Sequence, residues 1–182
     1  MGEISLYRNI LCMTAVVMAL FMGTALAAPR AMTVDDAVIA GIAPGNDLSY
    51  VRSIYGEPDG EKTKRTGNYP THLVDYYGEG FVITYDIFGG VQNPLIQSIE
   101  STNAALVMPS GIHVGMKISE VQQIFSDIQE PFRRDEKNNQ YTSPRFYVEV
   151  SDEKKGIRTV VFDVDKKSVI QKIFIYDQYG ID

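Results

Sequence analysis

Apolar side chains recur along this chain with two periods. At Leu48, Val51, Ile54 and Tyr55, and again at Ile118, Val121, Ile124 and Phe125, the spacing predicts a short helix with one buried stripe. Elsewhere the pattern is a near alternation in runs rich in β-branched and aromatic residues. These runs predict strands at His72 to Tyr77, Phe81 to Phe88, Leu95 to Ser101, Arg145 to Val150, Ile157 to Val164 and Val169 to Tyr176. Gly78-Glu79-Gly80, Gly89-Gly90 and Asp165 to Ser168 read as turns between them. Asn46 or Asp47 can cap the first helix, and Gly56 with Pro58 ends it. The second has Ser126 in place of Gly56, so its stop is expected only near Glu130, before Pro131. Thr33-Val34-Asp35-Asp36 has the form of a capping box and predicts a further short helix through Ala40, and Asn103 to Met108 is read as a strand joining the two parts.

The same order of elements occurs twice. Gly41 to Gly56 aligns without gaps on Gly111 to Ser126, with six of sixteen positions identical. Thr84-Tyr85-Asp86-Ile87 resembles Val161-Phe162-Asp163-Val164, and Leu95 to Ile99 resembles Val169 to Ile173, which pairs Asp86 with Asp163. The expected fold is therefore α+β: two tandem helix-plus-antiparallel-sheet repeats, 41–102 and 111–177, packed together. An N-terminal region at 28–40, a linker at 103–110 and a tail at 178–182 complete the division. Strand parity assigns Phe81, Ile83 and Tyr85, with Val160, Phe162 and Val164, to the core face.

Residues 1–27 read as a secretory signal: Arg8, an apolar run from Ile10 to Met22, then Ala25-Leu26-Ala27 as the cleavage site. The run is too short for an ordinary spanning helix, so no stable membrane insertion is expected after cleavage. An exported, periplasmic or extracellular chain follows. Its one cysteine, Cys12, lies inside the signal, which excludes thiol catalysis and thiolate metal sites from the mature chain. The net charge of −6 argues against nucleic acid as a partner. Charge is unevenly spread: 41–102 holds 8 acidic and 4 basic residues, whereas 111–177 holds 11 of each.

The Gly-Ile-x-x-Gly turn, the helix end from Val51 to Pro58 and the strand Asp75-Tyr76-Tyr77-Gly78 resemble the tandem repeats of the beta-lactamase-inhibitor-protein-like (BLIP-like) fold. Each unit is also similar to the outer-membrane-assembly domains of the SmpA/OmlA type. The resemblance spans about 33–177 and implies tandem helix-plus-sheet units and a protein-binding role in the cell envelope, inhibitor-like or assembly-like.

Catalytic and cofactor signatures are scarce. His72 and His113 read as turn or surface residues, Asp163 to Ser168 lacks the glycine and glutamate of a calcium loop, and the glycine pairs lack the lysine and helix of a phosphate loop. No catalytic residue, cofactor or metal is therefore assigned. The face opposite the helices is expected to engage a protein or peptide of modest positive charge, with Thr84, Asp86, Thr159, Val161 and Asp163 on it and Tyr77 and Tyr147 as aromatic anchors. The alternative is a secreted hydrolase using Asp86 and Asp163, which requires both carboxyls in one pocket.

Overall fold

The computed structural model describes residues 28–129 and 145–177. The signal assigned to 1–27, the helix stop at Glu130 and Pro131 and the tail at 178–182 lie outside the described residues.

The chain is α+β and mostly sheet. Helix α1 (Leu48–Tyr55) is followed by strands β1 (Gly60–Thr66), β2 (Tyr69–Tyr77), β3 (Phe81–Asp86) and β4 (Leu95–Ser101). Helix α2 (Ile118–Ile124) is followed by β5 (Arg145–Asp152), β6 (Gly156–Val164) and β7 (Ile170–Asp177). The seven strands form one antiparallel sheet in the order β1-β2-β3-β4-β7-β6-β5, so the last strand of each meander meets the other at a central seam. That seam pairs Ser98 to Ser101 with Tyr176 to Ile173.

The helix face is where the chain removes apolar area from water. Phe81, Ile83 and Tyr85 of β3, Val160, Phe162 and Val164 of β6, and Ile170, Ile173 and Ile175 of β7 are all buried there with Val51 and Val121. They belong to one cluster that includes residues of both helices and of the N-terminal segment, such as Met32 and Ile39. Burying side chains of this size stabilises by about 1.5–3 kcal/mol each, which makes this face the main source of stability. The alternation of the strands gives this assignment directly, as the parity of Phe81 and Phe162 predicts.

Both helices start in the same hydrogen-bonded frame. Gly45 N donates to Ile96 O at 2.8 Å, Ile96 N to Asn46 O at 2.8 Å and Leu48 N to Pro94 O at 3.0 Å. In the other half Gly115 N donates to Ile170 O at 2.9 Å, Ile170 N to Met116 O at 2.8 Å and Ile118 N to Ser168 O at 2.9 Å. Gly45 and Gly115 take positive φ of 90° and 100°, which L side chains rarely adopt. Asp47 caps α1 by accepting from Tyr50 N at 2.7 Å, whereas in α2 Glu120 reaches back to accept from Lys117 N at 2.7 Å.

Several expectations are corrected. Thr33 to Ala40 is a turn instead of a helix. Asp36 accepts from Thr33 N–H and Oγ–H as a capping box would, but the chain then reverses through Ala40 (φ 51°) and Gly41 (φ 87°), with Ile39 N bonded to Ile42 O. Asn103 to Met108 forms no strand, since Ala40 N takes Val107 O and Met108 N takes Ile112 O. α2 stops at Ile124 because Phe125 turns extended and fully buried, and the Arg30 backbone bonds both Ile124 O and Ser126 N. β1 is a strand that the alternation does not reveal: Gly-Glu-Lys-Thr-Lys-Arg-Thr has no apolar residue and is almost wholly exposed at the sheet edge.

The register also moves one correspondence. Tyr85 pairs with Ile96 and Val164 with Ile170, each beside a bulge, so Asp86 corresponds to Asp165 and not to Asp163. The side chains agree, because Asp86 accepts from Phe88 N and Asp165 from Lys167 N, each two residues on.

Candidate functional site

With both helices on one side, the opposite face of β4, β7, β6 and β5 is left open among the described residues. A hollow of about 460 Å³ lies there, lined by Arg145 and Tyr147 from β5, Thr159, Val161 and Asp163 from β6, Lys172, Phe174 and Tyr176 from β7, and Glu100 from β4. Cross-strand pairing explains the set. Tyr147 faces Val161, Val161 faces Phe174 and Phe174 faces Glu100, so one row crosses four strands. The adjoining row is charged: Arg145 Nε stands 2.8 Å from Asp163, Lys172 Nζ 3.5 Å from Asp163 and 3.2 Å from Glu100. Phe174 and Tyr176 pack ring against ring at 5.2 Å.

The charges alternate in sign across the strands, and each carboxylate has a cation beside it. This row holds its side chains in place without giving the hollow a net charge, unlike the acidic surface that a positively charged partner would need. A second hollow, of about 520 Å³, continues over β2 and β3, lined by Lys64, His72, Val74, Tyr76, Val82 and Thr84 among others.

Five of the seven residues singled out from the sequence are on this face. Tyr147, Val161 and Asp163 are half-buried in the hollow, Thr159 is buried in its floor, and Thr84 lies in the second one. Asp86 sits exposed at the end of β3, its carboxylate used by the Phe88 backbone. Tyr77 is on the other side. It pairs with Phe81 on the core face, its ring lies 5.6 Å from that of Tyr55, and its hydroxyl donates to Gly56 O. The correction has a physical reason: Tyr77 shares its strand face with Asp75, and this aspartate is itself buried beneath α1. A polar residue does not mark the open side here. Arg145, Lys172, Phe174, Tyr176 and Glu100 are the lining residues that the sequence does not single out. The β7 residues meet β6 through the antiparallel pairing of those two strands, and Glu100 joins them only through the seam between β4 and β7.

Asp86 and Asp163 do not share a pocket. β3 and β6 are three strand positions apart, about 14 Å across the sheet. The paired-carboxylate arrangement of a hydrolase is not formed by these two groups. His72 lies on the open face of β2, and His113 Nδ1 contacts Val114 O at 2.8 Å in its turn. Among the described residues no group of three or more His, Cys, Asp or Glu could hold a metal ion, and no helix is long and apolar enough to cross a membrane.

Comparison with known proteins adds no relative to this picture. No family model matches the chain, and no curated protein and no solved structure matches it either.

Proposed function

We propose that this chain is an exported, non-catalytic binding protein of the bacterial cell envelope that engages a protein or peptide through the open face of its sheet. The observation that carries the reading is the hollow on β5, β6, β7 and β4, where Tyr147, Val161, Phe174 and Tyr176 present aromatic and apolar area beside fixed charges. Such a mixture on a rigid sheet suits a protein surface, with aromatic anchors supplying area at small entropic cost. The Ala25-Leu26-Ala27 motif supports export. BLIP-like and SmpA/OmlA-type proteins remain the family resemblance behind the inhibitor-like or assembly-like role.

The same proposal includes two copies of one unit, 41–102 and 111–177. It rests on the aligned Gly41 and Gly111 segments, the matched helix-start hydrogen bonds and the matched bulges.

The test is cross-linking and co-purification from envelope extracts of the native host, followed by affinity measurement with the recovered partner. Tyr147→Ala and Phe174→Ala should each weaken binding by about 1–2 kcal/mol, while Tyr77→Ala should alter binding only through stability. Unchanged affinity in the first two, with the fold intact, excludes this face.

A further inference from the structure

The helix side of the sheet contains one group that its surroundings leave unsatisfied. Asp75 of β2 is completely buried, and neither carboxylate oxygen has a hydrogen-bond partner. Such oxygens are rare in folded proteins because each forfeits its hydration. Two other polar atoms in this cluster are also buried without partners: the hydroxyl of Tyr85 on β3 and Nε of Arg52 on α1. Arg52 meanwhile spreads its two terminal nitrogens over three carboxylates. Nη1 stands 2.5 Å from Glu57, and Nη2 stands 3.0 Å from Glu61 on β1 but 3.8 Å from Asp75. The groups around Asp75 are thus Arg52 and Tyr55 from α1, Glu57 beyond it, Glu61 from β1, Tyr77 from β2 and Tyr85 from β3.

This arrangement suits a neutral Asp75. Burial pushes its carboxyl up to about 6; Arg52 pulls it down, and Glu61 and Glu57 add to the rise. An ionised carboxylate in that position needs a donor at about 2.8 Å, and Arg52 Nη2 lies about 1 Å too far out.

We propose that Asp75 and Arg52 form a proton-operated latch between the sheet and α1. When Asp75 is ionised it draws the guanidinium inward, off Glu57 and Glu61; when it is protonated, Arg52 stays with those two. The latch therefore sets how firmly the end of α1 is tied to the first residues of the edge strand β1. It is independent of the binding face, which lies across the sheet. The sign of its effect on stability is fixed by a folded-state value above the ordinary 3.8: stability is full below about pH 4 and is lost as pH rises through about 6.

The test is an NMR titration of the full chain, following side-chain carboxyl carbons and arginine Nε–H together. Asp75 should titrate near pH 6, and the Arg52 resonance should move with the same midpoint. In Asp75→Asn that movement should vanish, and the fall in Tm that the wild type undergoes between about pH 4 and pH 7 should largely disappear. The double variant Glu57→Gln/Glu61→Gln should lower the Asp75 midpoint, because it removes two repulsive charges and frees Arg52, and it gives a reading even if Asp75→Asn folds poorly. An Asp75 midpoint at about 4, an Arg52 signal that does not follow Asp75, or an unmoved midpoint in the double variant would overturn the latch.

Discussion

Where β2 turns Asp75 and Tyr77 toward the helices, the strand in the matching place of the other half, β5, turns Phe146 and Val148. Ile83 faces Asp75 and Phe162 faces Phe146, so the two sites occupy one position in the two registers. The helices differ in step. Arg52 is the fifth residue of α1, and the fifth of α2 is the exposed Gln122. Tyr85, whose hydroxyl is orphaned near Asp75, stands where the other half has Val164. An acid, its arginine and a phenol are thus present together in one half and absent together from the other. The β5–β7 half packs without them, so this framework does not require a carboxyl at that position.

Substitutions can break or sharpen this contrast. The largest effect is expected from Phe162→Ala, which removes a fully buried ring from the shared core and should cost about 3–5 kcal/mol in chemical denaturation. Since the core residues of both halves form one cluster, unfolding should stay a single transition reported alike by probes in either half. Two separated transitions would show that the halves stand independently.

Next in size is Phe146→Asp, which places a carboxyl in the half whose helix offers Gln122 instead of arginine. Its cost at pH 7 should be about 3 kcal/mol and should shrink as pH falls toward 4. Equal cost at both pH values would mean that lost packing, not charge, explains the difference between the halves.

The two hairpins give a finer comparison. A Cβ on Gly80, between β2 and β3, would lie 2.1 Å from Thr102 Oγ1 and at φ +77°, whereas one on Gly156, the first residue of β6, would meet nothing nearer than 4.0 Å. Gly80→Ala should therefore destabilise by about 2 kcal/mol and Gly156→Ala by about 1 kcal/mol, the backbone term alone. Reversed order in thermal melts would contradict the close approach to Thr102.

The smallest effect concerns the N-terminal segment, which joins the halves. Arg158 of β6 is buried and donates to Val34 O and Pro44 O, and Arg30 forms a fork with Asp36 at 2.6 and 2.7 Å. The Arg30 hydrogen bonds hold the Asp36 carboxyl down to about 2, so its stabilisation is present above about pH 4 and is lost as pH falls toward 2. Arg30 is half exposed and screened, which limits the cost of Asp36→Asn at pH 7 to about 1 kcal/mol. The variant should lose less stability than the wild type on acidification, the opposite of the Asp75 behaviour.

Strands that alternate were legible because one face of each is buried: Leu95 to Ser101 is found as read, and the others differ by a few residues at their ends. β1 was not legible, since an edge strand with both faces wet has no reason to alternate. The motif Thr33 to Asp36 was legible as a local hydrogen-bond pattern but not as an element, because the reversal at Ala40 and Gly41 depends on Ile42 entering the core. Tyr77 was assigned to the wrong face because parity tells which residues share a side, not which side is covered. The binding face was half legible for a similar reason. Tyr147, Val161 and Asp163 follow from alternation within one meander, while Glu100 requires a pairing between β4 and β7 that nothing local announces.

That seam between β4 and β7 has a consequence in time. It joins residues about 75 positions apart, and it uses the last strand of the described residues. Until β7 arrives, β4 is an open edge carrying Ile96 and Ile99, residues that end fully buried. A chain cut short before residue 170 should therefore leave a template for strand addition and associate with itself. Closing the sheet this late favours slow folding, because the entropy of the longest loop is lost before the central contacts form.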